Sequence, residues 1–524
     1  ENNLHPLLIL LVSSCQGGKI LVVPEDGSHW INMEVLLREL HSKGHNLTVL
    51  RSAKSWFVHE NSSLYTSITV TPPDAQAEDF TPDFFSGLIQ RSLELQTMPR
   101  VWRFFGQQKD VSMILQLFHG AALNLITTIL QDHSLVARLK SSGFDLVLTD
   151  PAFPVGVLLA QYLRLPVVYN VRWLNAGEAH TTVAPTPPSY VPMYNSMFHD
   201  KMDFLQRTEN FLRYVASLLL EQLVILPLYQ DLLQHHFPPG ADLLSMQRSA
   251  DIWLVRVDFV FEFPRPTMPN VFYIGGFQCR KARPLSAELE AFMQSSGEHG
   301  VVVMSLGTWV SALPRDMTEA IAAAFAQLPQ KVVWRYMGQR PSSLGNNTLL
   351  VDWLPQTDLL GHPKTRAFVA HGGTNGLYEA IYYGVPVLGL PLLFDQFDNL
   401  VRLKARGAAR VVLASSLTTE DFLEALKDIL NNPSYYHNIQ RLSRLHHDQP
   451  VSPMDTAIFW IEYVIRNKGA AHLRAAAYDL PWYAYHSLDV VALLMVLSGA
   501  LLWASVSVCS LLCCQRFRKK RKVE

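Results

Sequence analysis

The chain has 524 residues, with 44 Lys and Arg against 45 Asp and Glu, so its charge balance carries no electrostatic footprint for nucleic acid. That length exceeds one ordinary core and leaves room for two domains of usual size. Hydrophobic residues make up 49%, ordinary for a globular protein, but part of them is concentrated at the two ends.

Leu7 to Val12 is an apolar core followed by small and polar residues up to Gly18, the pattern of a secretory signal peptide's tail, so residues 1–17 read as a signal remnant. Lys19 to Pro24 predicts a strand, Asn32 to Lys43 a helix stopped by Gly44, and Leu47 to Leu50 a second strand. Sequons stand at Asn46, Asn61 and Asn346, although Asn46 opens an apolar strand that would shield it. Residues 80–130 are largely helical and rich in Phe, Leu and Met, either plain core, the wall of a lipophilic pocket or a membrane contact. Phe144 to Leu148 and Pro166 to Val171 predict later strands of the same sheet, and Ala184 to Pro192, with four prolines, is a loop. Pro264 to Pro284 is the expected linker, dividing a first domain of 18–275 from a second of 285–465. In the second, Val301 to Leu306, Lys331 to Tyr336, Ala367 to Ala370 and Val387 to Leu390 predict strands. Strand and helix units thus alternate twice over, an α/β pattern with no internal repeat.

After a membrane-proximal segment, 466–489, Val490 to Cys514 runs 25 residues without a formal charge. As a helix it would be about 37 Å long against roughly 30 Å of bilayer hydrocarbon, enough to span with some tilt; the alternative is a buried core helix. Trp482, Tyr483 and Tyr485 precede it as interfacial anchors, and Arg516, Arg518, Lys519, Lys520, Arg521 and Lys522 follow. By the positive-inside rule the tail, 515–524, is cytosolic and the large domains are luminal. Lys520 and Lys522 have the spacing of a dilysine retrieval signal, as in endoplasmic reticulum membrane proteins, or form a plain basic flank. Of the five cysteines only Cys279 lies in the luminal part, since Cys15 falls in the signal and Cys509, Cys513 and Cys514 at the cytosolic end. No internal luminal disulfide is possible, so stability rests on core burial.

The most informative stretch runs from Trp353 to Asn399. A short apolar strand, Ala367 to Ala370, leads into His371, Gly372 and Gly373, and Thr374 to Tyr383 has the composition of a helix. Glycines let backbone approach an anion, and the first helical N–H groups lack intrahelical partners, so this is a phosphate cradle or, more plainly, a tight turn. His371 adds a side-chain donor, Glu379 a carboxylate for ribose hydroxyls, Trp353 a flat ring for a base and Gln356 a partner for uracil or ribose. Asp395 and Gln396 follow an apolar run, near the carboxyl edge of a parallel sheet where such folds bind ligands.

The order Trp353, Gln356, His371, Asn375, Glu379, Asp395, Gln396 resembles the donor-binding signature of the UDP-glycosyltransferases, and of the animal UDP-glucuronosyltransferases in particular. The likeness runs from about Lys19 to the C-terminus and includes SHW at 28–30, FDLVLTD at 144–150, GVVVMSLGT at 300–308 and HDQP at 447–450. It implies the GT-B fold, two Rossmann-like domains facing across a cleft, with a C-terminal transmembrane helix. Trp353 would then stack on uracil, Gln356 and Glu379 hold the uridine, His371 and Asn375 the diphosphate, and Asp395 with Gln396 the sugar. Ser305, Gly373 and Gly376 belong to the same implied donor site. Arg256, in IWLVRV, resembles the family arginine associated with the glucuronate carboxylate, though it could be a surface arginine beside a strand.

His29, in the loop after the first strand, and Asp150, after the strand at 144–148, both belong to the carboxyl edge of one sheet. A near-neutral histidine can take a hydroxyl proton while a carboxylate on its other nitrogen fixes the tautomer, although His29 could merely cap a helix and Asp150 a turn. The resemblance implies that the pair is the catalytic base and its partner. The expected reaction is inverting transfer of glucuronic acid from UDP-glucuronate to a small lipophilic acceptor such as a phenol, steroid, bile pigment or xenobiotic. With no Asp-x-Asp motif, neither metal nor cofactor is expected beyond that co-substrate. Two rivals remain: a UDP-glucose, UDP-N-acetylglucosamine or UDP-galactose transferase, and a silent nucleotide-sugar-binding membrane subunit. The sequence leaves the acceptor and any homo- or hetero-oligomer open.

Overall fold

The computed structural model describes residues 17–73, 82–172, 183–307, 310 and 313–520, the last five by backbone alone. Apart from Gly17, the signal remnant with Cys15 lies outside the described residues, as do Thr308 and the side chains of the terminal basic run. The chain divides into two compact units, residues 1–474 and 475–524.

The first unit is built on two parallel sheets. Strands β1 (Lys19–Val23), β2 (Asn46–Ser52), β3 (Thr66–Val70), β4 (Leu146–Thr149), β5 (Val167–Val171), β6 (Ile252–Val255) and β7 (Val271–Tyr273) make the first, in the order β3-β2-β1-β4-β5-β6-β7. Strands β8 (Val301–Ser305), β9 (Lys331–Arg335), β10 (Thr348–Val351), β11 (Thr365–Ala370), β12 (Val387–Gly389) and β13 (Ala409–Val411) make the second, in the order β10-β9-β8-β11-β12-β13. Every described pairing is parallel. Parallel strands need crossover helices, which cover both faces, so the central strands read as unbroken apolar runs; β4, β5, β6 and β8 are buried throughout. In both sheets the strand order builds outward from the first strand to the third and then resumes on the first strand's other side. The crevices for ligands therefore lie between the carboxyl ends of β1 and β4 and of β8 and β11.

Three boundaries differ from expectation. The first helix spans Ser28–Ser42, four residues earlier than its apolar periodicity suggests, because Gly27 at φ 69° turns the chain directly into it. His29 consequently stands in the first helical turn and not in a loop, and no side-chain cap bond is made there. The linker region contains β7, the edge strand of the first sheet. Lastly, Ala457, Ile458, Ile461 and Val464 of the helix Pro453–Asn467 join the core under β1 and β6, so the chain recrosses to the first half before residue 465.

In the second unit a short helix, Trp482–Tyr485, precedes the helix Leu488–Lys520. Within its stretch Leu488–Gln515 the most apolar window has a mean hydropathy of 2.2 and is not buried, fitting a membrane span. By length and composition two further helical stretches qualify, Arg100–Gln131 and Phe204–His236. The first of these buries Ile126, Ile129 and Leu130 in the fold, as the core alternative for this segment requires.

Candidate active site

A cavity of about 1630 Å³ opens between the carboxyl edges of the two sheets. Its walls include His29, Arg172, Ser305, Trp353, Gln356, His371, Gly373, Asn375, Gly376, Glu379, Asp395 and Gln396. A single small-ligand pocket typically measures roughly 300–1,000 Å³, so this one has room for two reactants.

On the first wall, His29 Nδ1 lies 2.7 Å from Asp150 Oδ2, and Asp150 is 2% exposed. Burial lowers the His29 pKa against the pull of Asp150, leaving a neutral imidazole. Burial alone would raise Asp150, but His29 and Arg256 outweigh it and keep the carboxylate ionised. A neutral ring beside an ionised carboxylate donates through Nδ1, which makes Nε2 the basic nitrogen. Arg256 is buried behind this pair and does not reach the cavity wall: it donates to Asp150 Oδ2 at 3.3 Å and to Asn32 Oδ1 at 3.0 Å. The surface alternative for Arg256 is excluded by its burial.

On the second wall, Gly373 caps the helix Thr374–Tyr383 without any side-chain cap bond, and its first intrahelical bond runs from Leu377 N–H to the Gly373 carbonyl. The N–H groups before Leu377 point partial positive charge at the cavity, a built anion site. His371 is partly buried there on the cavity wall, and burial brings its pKa down to about 4, so its ring is neutral. Its ring sits between Gly307 and Gly373: a Cβ on either would stand 2.6 Å from it. Gly307 also has φ +85°, a left-handed conformation costly for other residues. Gly307→Ala is therefore expected to displace His371 and weaken UDP binding by about tenfold or more, read by calorimetry; unchanged affinity would remove the steric role.

The remaining donor-side residues converge on the same wall. Trp353 is 63% exposed, with the Arg335 guanidinium 5.3 Å from its ring centroid, so one face is covered and the other is offered to a base. Glu379 accepts from Gln356 Nε2 at 2.5 Å and from Thr357 Oγ1. Burial raises the Glu379 pKa in opposition to those two bonds. Gln396 Oε1 accepts from the N–H groups of Leu392 and Leu393, which leaves its amide nitrogen for the cavity. Asp395 accepts from Asn399 at 2.8 Å and lies 3.6 Å from Arg172. Ser305 ends β8 with its Oγ 3.4 Å from Gly307 N. Gly376 has Phe368 and Gln356 only 3.2–3.3 Å from its Cβ position, so only glycine fits without movement.

Asn375 has its side chain engaged within the protein. Its side-chain Oδ1 accepts from Asn32 at 3.1 Å and its Nδ2 reaches the Ser28 carbonyl at 3.5 Å, so the amide ties the donor helix to the His29 turn. Its backbone N–H is what remains for an anion. Two residues that sequence reasoning passed over complete the seam. Asn32 links Arg256 to Asn375, and Arg172, directly after β5, donates to Ser28 Oγ at 2.6 Å while facing Asp395. The sheet-edge rule that picked out His29 and Asp150 applies equally to Arg172.

Asn46, Asn61 and Asn346 all have exposed side chains, although Asn46 is the first residue of β2. Exposure, contrary to the expectation for Asn46, leaves all three reachable.

Two facing Rossmann-like halves, with an uncapped helix end on one and a histidine–carboxylate pair on the other, define a GT-B glycosyltransferase. The family model "UDP-glucoronosyl and UDP-glucosyl transferase" matches residues 18–523, and the chain belongs to that family. It is 42% identical over 509 residues to human UDP-glucuronosyltransferase 2A2, covering 96% of this chain and 93% of that protein. It is likewise 42% identical over 525 residues to UDP-glucuronosyltransferase 2A1 of Mus musculus, covering 98% and 97%. Among solved structures, the calicheamicin glycosyltransferase CalG4 aligns with a TM-score of 0.58 at 18% identity, over 86% of this chain and 99% of that one. Phytolacca americana UGT2, complexed with UDP-2fluoro-glucose and pterostilbene, aligns at 0.57 with 15% identity over 86% and 99%.

Proposed function

We propose that the chain is an inverting UDP-glucuronosyltransferase that moves glucuronic acid from UDP-glucuronate to a hydroxyl or similar nucleophile of a small lipophilic acceptor. The observation that carries this is His29, 2.7 Å from Asp150, lining one cavity with the uncapped donor-helix end. The acceptor oxygen gives its proton to His29 Nε2 as it bonds to the anomeric carbon, and the bond from that carbon to the UDP oxygen breaks on the opposite face. Attack and departure on opposite faces invert the centre. Asp150 stabilises the imidazolium, and the charge on departing UDP is met by the helix N–H groups and His371. Uracil stacks on the open face of Trp353, the ribose meets Glu379 and Gln356, and Asp395 with Gln396 takes the sugar hydroxyls. Arg172, beside Asp395, is the guanidinium for the glucuronate carboxylate, while Arg256 holds Asp150. Phe118, Leu115, Phe153 and Ile225 supply an apolar wall for the acceptor.

Incubating membranes that contain the full chain with each UDP-sugar and a phenolic acceptor tests the reading. Glucuronide formation with an inverted anomeric centre is expected; transfer of a neutral sugar alone would overturn glucuronidation, and UDP binding without any transfer would favour a silent subunit. No step uses a metal, so the rate is expected to persist in excess EDTA, and its loss would contradict the mechanism.

The reading includes an endoplasmic reticulum location, with Leu488–Gln515 crossing the membrane, the two halves luminal and the basic tail cytosolic. Protease added to sealed microsomes should then remove only the tail; degradation of the catalytic halves would reverse the orientation.

A further inference from the structure

We propose that Glu25 selects acceptors carrying a protonated amine at a distance from the reacting hydroxyl. The inference deepens the proposed acceptor site and rests on it. Glu25 lies between β1 and the His29 helix, four positions before the base, on the cavity wall that also contains Phe118, Phe153 and Ile225. Among the described residues no hydrogen bond or ion pair engages its carboxylate. Its neighbour Asp26 shows the contrast, accepting from the N–H groups of Gly27, Trp56 and Phe57.

Three arginines on the same wall are engaged elsewhere. Arg51 donates to the Val58 carbonyl and Thr69, Arg213 to Glu209 and Gln107, and Arg172 to Ser28. The charges that act most on Glu25 are carboxylates, Asp150 and Asp26; burial first, then these two, raise its pKa well above the ordinary value. Glu25 is only partly buried, so its carboxyl group opens onto the cavity without a protein partner and can be engaged by a bound ligand. An ammonium group would meet a locally negative wall and favour the ionised form of Glu25, whose proton leaves to solvent, so that the two form a shielded pair stronger than one in water. The reaction itself leaves Glu25 unused, since the proton goes to His29. An ammonium has no lone pair, so the charged nitrogen is a recognition handle and the hydroxyl remains the nucleophile.

The test compares two phenols of matched shape, one with a tertiary-amine side chain and one with its carbon isostere, using the full-length enzyme in membranes. Glu25→Gln should raise KM for the amine at least tenfold, with its kcat and the kinetics of the isostere changed less than threefold. Glu25→Asp, which keeps the charge, should restore most of the preference. Equal losses on both phenols would mean that Glu25 acts through His29, and no change on either would mean it recognises nothing; each overturns the proposal. Stabilisation of E25Q by UDP against heat verifies folding. Calorimetric binding of both phenols to the UDP-loaded enzyme gives the same comparison without turnover. A wild type that transfers glucuronate to neither phenol yet binds the amine more tightly would count against the proposed function and not against Glu25.

Discussion

Replacing His29 by Ala is expected to lower kcat for glucuronate transfer by about a thousandfold while UDP affinity stays within about twofold. The asymmetry follows from geometry. The base stands on the first sheet's helix, whereas the cradle for the diphosphate is made by His371, Gly373 and the donor-helix N–H groups on the second. Asp150→Asn should cost nearly as much, because an amide that donates to Nδ1 favours the wrong tautomer. The pH profile carries the sign of the same pair. A base must be neutral to act, and burial holds the His29 pKa below 6.5, so the acid limb of kcat/KM should fall below pH 6.5. A limb above that value, or an H29A enzyme with undiminished turnover, would remove the proposed base.

Arg172→Ala should lower kcat/KM for UDP-glucuronate by about tenfold to a hundredfold relative to UDP-glucose, since a charged hydrogen bond contributes roughly 1.5–3 kcal/mol. Only glucuronate offers a carboxylate at that position, so the ratio isolates the recognition of charge from general damage to the donor site. Arg256→Ala should behave differently: its guanidinium bonds Asp150 and Asn32, so kcat should fall with both donors and their ratio stay constant. If Arg256→Ala alters donor preference and Arg172→Ala does not, the two assignments are reversed.

How much of this was legible in the chain depends on how each element is buried. The central strands were readable because both faces are covered and they appear as unbroken runs such as VVVMS at β8. The edge strands β3, with TSITV, and β13, of three residues, have no such run, since half or more of their side chains are only partly buried. The donor helix was found at its observed ends because glycines bracket it, Gly373 at the cap and Gly384 at φ 68°. By contrast, the helix Pro453–Asn467 has an apolar face in its sequence, but periodicity tells that a face is buried and not against which sheet. Within the site, His29, Asp150 and the donor wall followed from sheet edges and resemblance. The burial of Arg256 was not legible because sequence supplies its strand and not its depth, and Asn32 passed unnoticed because a single polar residue in a helix's first turn usually faces solvent.

The central claim is that one helix end receives the diphosphate directly across the cavity from His29. A structure of the full chain with UDP-glucuronate and a slow acceptor analogue bound tests it most directly. The account predicts phosphate oxygens within hydrogen-bond distance of the backbone N–H groups at Thr374 and Asn375, uracil against Trp353, and the acceptor oxygen within about 3.2 Å of His29 Nε2. Uridine bound away from Trp353, or an acceptor oxygen out of reach of His29, would contradict it.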